Sequence, residues 1–244
     1  MIFCVAAIAA VKKGVCMDNK TKQHENVLRT VTLAVFVALA YALVCTFRIK
    51  VSFLTFDVKD AVITVAAMIF GPISAVAMSL AVSFVEMITI SDTQLYGFIM
   101  NVLSTLSLSV TASLIYKYKR SMLGAALGLV SGVFAVTSVM MLANLFITPY
   151  YMGVDRAVVV NLIPKLLLPF NLTKATLNAA ITLLIYKPIV TAMRRAGVIK
   201  STGSIKSTKT MIFVTAIAVC VIVVSLIVFF NVLGAQVKWF QPGA

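Results

Sequence analysis

The chain has 244 residues, of which 61% are hydrophobic and only 11% charged, and its mean hydropathy is +1.07. This excludes an ordinary soluble domain and indicates a polytopic membrane protein, for which lipid is the main solvent. The formal charge of +14 would suit a nucleic-acid binder, but in a membrane chain a basic excess marks cytoplasmic connections, so no nucleic-acid partner is expected. Backbone amides in lipid must bond internally, and apolar runs of about 20 residues are too long for barrel strands, so the runs read as helices.

The first 16 residues, MIFCVAAIAAVKKGVC, lack a basic stretch before the apolar part and are too short to span. They read as an interfacial stub or an upstream start before Met17, within a cytoplasmic N-terminal segment 1–26. Six core spans follow, at about 27–47, 60–70, 73–90, 96–116, 122–147 and 169–192. The second is short and breaks at Gly71-Pro72. A basic linker, 193–210, leads to a seventh apolar segment at about 211–233 and a tail to residue 244. The expected fold is thus an all-α integral membrane protein: a six-helix transmembrane bundle plus one additional C-terminal hydrophobic helix.

With the N-terminus inside, 14 of the 21 Lys and Arg fall on inner segments. They include Arg29, Lys117, Lys119, Arg120, Lys187, Arg194 and Arg195. The N-terminus is therefore expected in the cytoplasm, and seven spans would leave the C-terminus outside. Two outer connections, 48–60 and 148–165, are long and partly apolar. They could cap a cavity or rest among lipid headgroups.

Catalytic chemistry finds little to work with. The only histidine is His24, before the first span, and the four cysteines (Cys4, Cys16, Cys45, Cys220) are scattered without metal-ligand spacing. No Gly-Lys dipeptide occurs, so there is no phosphate-binding loop of the GxxxxGK[ST] kind. No catalytic residue, metal site or cofactor is expected. Any ATP-driven work must be done by another chain.

What remains is binding. Asn171, Lys174 and Asn178 are spaced i, i+3, i+7 and share one helix face. A charge within a span is costly unless it meets water or a partner. Lys174 could snorkel to the outer headgroups or face a polar cavity, and its alignment with the two amides favours the cavity. Asn101 in the fourth span, Asn144 in the fifth and Glu86 in the third lie near the same outer level. Each alone could be inter-helix glue, but together with Lys174 they suggest an externally open pocket. Amides and an ammonium suit an uncharged ligand rich in carbonyls and hydroxyls. Phe53, Phe56, Tyr96 and Phe170 could form its flat walls. Small residues repeat every four positions at Ala34, Ala38, Ala42 and at Gly124, Gly128, Gly132. Each stripe permits close helix approach, within the chain or to a partner.

Several of these stretches carry a resemblance. FLTFDVKDAVITVAAMIFGP (53–72), GFIMNVLS (97–104), LANLFITPYY (142–151) and above all PFNLTKATLN (169–178) resemble the substrate-binding S components of energy-coupling factor (ECF) vitamin transporters, nearest to the riboflavin-specific RibU type. The resemblance covers about 27–192. It implies a six-helix bundle in a prokaryotic cell membrane that binds riboflavin or a related flavin from outside. It also implies docking to a membrane coupling subunit that carries two ATPase subunits. By the same resemblance Asn171, Lys174 and Asn144 would contact the vitamin, and the first outer loop at Phe53, Leu54 and Thr55 would close over it. The alanine stripe at Ala34, Ala38 and Ala42 would meet the coupling subunit. The N-terminal stub and the seventh segment depart from the family pattern; a C-terminus outside would be unusual, so the seventh helix could instead lie on the membrane surface. The alternatives are an S component for another vitamin or flavin precursor, or an independent ion-driven carrier, for which Glu86 is the only intramembrane acid.

Overall fold

The computed structural model describes the backbone of residues 2–198, 208–233 and 237–238, and the side chains of 23–198 and 215–231. Half of the basic linker (199–207) and the end of the tail lie outside the described residues. The chain is overwhelmingly helical. Helix α1 runs Ile2–Thr46, α2 Lys59–Phe70, α3 Pro72–Thr89, α4 Gln94–Tyr118 and α5 Met122–Met152. Then come α6 (Arg156–Leu162), a π-helical turn (Ile163–Leu167), α7 (Leu168–Arg195), and α8 (Thr208–Val228) with a second π-helical turn (Phe229–Leu233).

Five helical stretches among the described residues are long and apolar enough to cross a membrane: Gln23–Thr46, Pro72–Thr89, Gln94–Tyr118, Met122–Met152 and Arg156–Arg195. Helix α1 has no break between the N-terminal stub and the first apolar run. At 1.5 Å per residue its 45 residues extend roughly 67 Å, about twice a hydrocarbon core, so one half must project beyond it.

Helix α2 is the centre of the bundle. Residues 59–68 are all buried, and α1, α3, α4 and α7 pack around it. Its 12 residues rise only about 18 Å, too little to span lipid alone. It ends where expected. Gly71 sits at φ 98°, with its N–H bonded to the Ala67 carbonyl at 2.7 Å, and Pro72 opens α3. Only glycine adopts that backbone without strain, and proline at a first helical position loses no intrahelical bond. The outer surface is apolar, as lipid contact requires: Ile73, Leu123 and Phe134 are among the most exposed side chains.

The glycine stripe is internal. Gly124, Gly128 and Gly132 are buried on α5, and a Cβ on Gly128 would come within 2.8 Å of the Ala112 carbonyl on α4. The alanine stripe is the reverse: Ala34, Ala38 and Ala42 are all exposed on α1.

Three departures from the sequence reading follow from local patterns. First, the fold is not purely helical. The connection 48–60 forms a hairpin of β1 (Ile49–Val51) and β2 (Leu54–Phe56), turning at Ser52 with φ 56°. Alternation of apolar and polar residues there is a period-two signal. A third strand, β3 (Val237–Lys238), pairs antiparallel with β1, giving the order β2-β1-β3. Second, 148–165 is not an open loop. Helix α5 continues to Met152, and α6 with its π turn leads straight into α7. Val159, Ile163, Leu166 and Phe170 recur at helical spacing, and three of the four are buried. Third, α8 packs along α7 rather than lying apart from the bundle. Ala218, Ser225 and Phe229 form its buried stripe, with Ile222 beside them.

Candidate ligand-binding cavity

The hairpin turns over one end of the bundle, where α1, α3 and α5 finish and α2, α4 and α7 begin. Beneath it lies a cavity of about 870 Å³, measured out through its open mouth. Its polar walls come from Asn101, Asn144, Asn171, Lys174, Asp57 and Glu86. Phe53, Leu54 and Thr55 of the hairpin form its lid, and Tyr96, Tyr151 and Phe170 supply rings. An apolar cavity with a few convergent polar groups is the usual form of a small-molecule site.

Each wall residue has a structural reason for its pose. On α7, Asn171 donates to the Leu167 carbonyl at 2.8 Å. Four residues spans one helical turn, so the amide is braced against its own backbone while its oxygen stays available. Asn144 is braced likewise on α5, donating to the Met140 carbonyl at 2.7 Å while its oxygen accepts from Thr148 at 2.9 Å. Lys174 does not snorkel. Its ammonium donates to Asp57 Oδ2 at 2.7 Å and to the Thr55 carbonyl at 3.1 Å, which ties α7 to the hairpin.

A second buried pair joins α2 to α3. Lys59 Nζ donates to both oxygens of Glu86, at 2.6 and 2.5 Å, and Asn101 Nδ2 donates to Glu86 Oε2 at 2.8 Å. Asp60, one residue on, accepts from Thr105 at 2.6 Å. An acid in the first turn of α2 also meets the favourable end of the helix dipole. These pairings keep charge tolerable in a low-dielectric interior, where an unpaired ion is costly.

At the mouth, Lys50 bonds Asp92 at 2.5 Å, Arg48 lies 3.9 Å from the same carboxylate, and Arg48 also donates to the Ile90 carbonyl. The hydrogen bond from Lys50, helped by the charges of Lys50 and Arg48, holds the Asp92 carboxyl below its ordinary value, against slight desolvation.

Seven of the expected contact residues line this cavity: Asn101, Asn144, Asn171, Lys174, Phe53, Leu54 and Thr55. Asn178 does not. Its Nδ2 donates to the Asp57 and Lys174 carbonyls, both at 3.0 Å, and its Oδ1 accepts from the Ala61 N–H at 3.0 Å. That N–H is one of the unpaired donors at the start of α2, so Asn178 joins α7 to α2 as a structural cap. Phe56 is not a cavity wall either; it packs between Phe170 and Phe229, with centroids 6.2 and 4.8 Å away. Glu86 is not the only buried acid, since Asp57 and Asp60 are also below 5% exposed. Sequence reasoning missed Asp57, Lys59 and Asp60. The signal was the charged run DVKD opening an apolar helix, where a surface loop was the simpler reading.

The family model for the substrate-specific component of ECF transporters matches residues 28–190. The chain therefore belongs to the ECF transporter S-component family. Among solved structures, a chain described as "Structure and mechanism of the S component of a bacterial ECF transporter" is similar to it. The two share 25% identity at a TM-score of 0.59, over 68% of this chain and 97% of that one. No curated protein matches it. S components are multi-pass membrane subunits that bind a transported substrate and associate with an ECF module; they are not enzymes and carry no cofactor. Helix α8 and strand β3 lie beyond the matched region.

Proposed function

We propose that the chain is the riboflavin-binding subunit of an ATP-driven vitamin importer. It takes the vitamin into the cavity under the hairpin and depends on partner ATPases for transport. The cavity wall carries the reading. Lysine charges at and behind it are matched by carboxylates of the same chain, Lys174 with Asp57 and Lys59 with Glu86, which suits an uncharged ligand. Asn101, Asn144 and Asn171 offer amide groups to carbonyl, N–H and hydroxyl partners, and Phe53, Tyr96, Tyr151 and Phe170 offer flat apolar surface. Riboflavin has this chemistry: a flat ring system with an imide edge, and a hydroxyl chain. The PFNLTK run of α7 supports the same ligand through its resemblance to the riboflavin-specific type.

The proposed orientation places the N-terminus in the cytoplasm of a prokaryotic cell and the cavity outside. The basic cluster Lys117, Lys119, Arg120, Lys187, Arg194 and Arg195 then lies at the inner end. The exposed alanines of α1 are the proposed contact with the membrane coupling subunit. The test is the absorption spectrum of protein purified from riboflavin-supplied cells. Flavin bands in the visible region are expected. A colourless protein that also ignores added riboflavin would point to another vitamin.

A further inference from the structure

Among the described residues Lys59 is one of the largest fully buried side chains, at 1% exposure. It does not line the cavity; Glu86 and Asn101, to which it is linked, do. Burying an ammonium in a membrane bundle is costly, and a hydrophobic side chain of similar volume would fill the space at least as well. The geometry is also unusually complete. Both oxygens of Glu86 receive Lys59, and one also receives Asn101. The carboxylate is thereby fixed in orientation, with a cation held against it. Its remaining lone-pair capacity is available to the cavity.

We propose that Lys59, acting from behind the wall through Glu86, sets the charge selectivity of the site. It holds a carboxylate that accepts O–H or N–H groups of an uncharged ligand, and it cancels that carboxylate's charge so that this part of the wall is neutral. A phosphoryl group placed against Glu86 then finds an acceptor where it needs a donor, and no net positive charge there to offset its own desolvation. Lys59 is a positioning residue, not a contact. The inference rests on the flavin reading and goes beyond it by assigning the basis of discrimination between riboflavin and riboflavin 5′-phosphate.

The experiment compares affinities for these two ligands, by quenching of flavin fluorescence, in four purified proteins: the full chain and its Glu86→Gln, Lys59→Met and Lys59→Met/Glu86→Gln variants. In low dielectric an unpaired charge acts across the cavity. Glu86→Gln leaves the ammonium uncompensated, so the affinity ratio should move toward the phosphate by about tenfold or more. Lys59→Met leaves the carboxylate uncompensated and should move the ratio the other way. The double variant, neutral again, should return toward the original ratio. The opposite signs of the two single variants keep the test decisive if one of them fails to fold. A purely structural role would lower both affinities by the same factor in every variant, and that result would overturn the inference while leaving the flavin reading intact. An unmodified chain that binds neither ligand would overturn the flavin reading, and this inference with it.

Discussion

Lys174 shows how far a single residue can be read. Its placement beside Asn171 on one face of α7 follows from helical spacing, and the cost of an ion in lipid says that it must have company. Its partner is 117 positions away, at Asp57, and nothing local in the sequence selects Asp57 over a ligand or a headgroup. The pairing changes the expected consequences of substitution. Removing one member of a buried ion pair strands the other, at a cost of about 3–5 kcal/mol, whereas removing both is far milder. Lys174→Met should therefore lower the thermal midpoint in detergent and abolish ligand binding together. Lys174→Met/Asp57→Asn should recover much of the midpoint but not the binding. A double variant as unstable as the single one would show that the pair contributes through something other than charge. Asp92 contrasts with this. Its folded pKa is depressed, so its ion pair with Lys50 is intact above the ordinary carboxylate range and is lost only as pH falls through the lowered value. Being exposed and screened, it should hardly matter at neutral pH: Asp92→Asn is expected to shift ligand affinity by less than about threefold, as titration at pH 7 would show.

At the level of elements, the two small-residue stripes are alike in sequence and opposite in use. Sequence alone left both open, because the period of four is the same. What separates them is the rest of each helix: α5 turns its glycines onto α4, while α1 buries Phe36, Ala40 and Val44 and leaves Ala34, Ala38 and Ala42 outside. Gly128→Leu should overpack α4 against α5, costing about 1–3 kcal/mol and weakening binding as stability falls. Ala38→Trp should leave ligand binding by the isolated chain intact, since lipid accommodates the ring, yet abolish uptake in cells that supply the partner subunits. Retained uptake would remove this face from the docking surface. The C-terminal elements were legible as an apolar helix, but their attachment was not. Strand β3 extends the edge of the hairpin, and Phe229, 1% exposed, packs against Phe56 below it. The hairpin supplies the cavity lid, so α8 and β3 should slow its opening. A chain truncated before Thr208 should still bind, but release bound ligand several-fold faster in a stopped-flow chase. An unchanged rate would mean that the lid moves independently of the C-terminal helix.

For the whole molecule, composition and hydropathy sufficed for a helical membrane bundle, because lipid leaves the backbone few alternatives. The long apolar runs, the break at Gly71-Pro72 and the polar face of α7 were legible for the same reason: each is a local physical constraint. The hairpin, the helical passage from α6 into α7, and the Lys59–Glu86 and Lys174–Asp57 pairs depend on contacts between distant segments, which a single sequence does not specify. The central claim is that the cavity under the hairpin takes an uncharged flavin in the isolated chain. Titration of riboflavin into purified protein, followed by fluorescence quenching, tests it most directly, with Asn171→Ala alongside. Saturable quenching at one ligand per chain is expected, with affinity lowered in the variant by about 5- to 150-fold, the cost of one buried hydrogen-bonding partner. Absence of saturable quenching by a folded chain, or unchanged affinity in the variant, would contradict it.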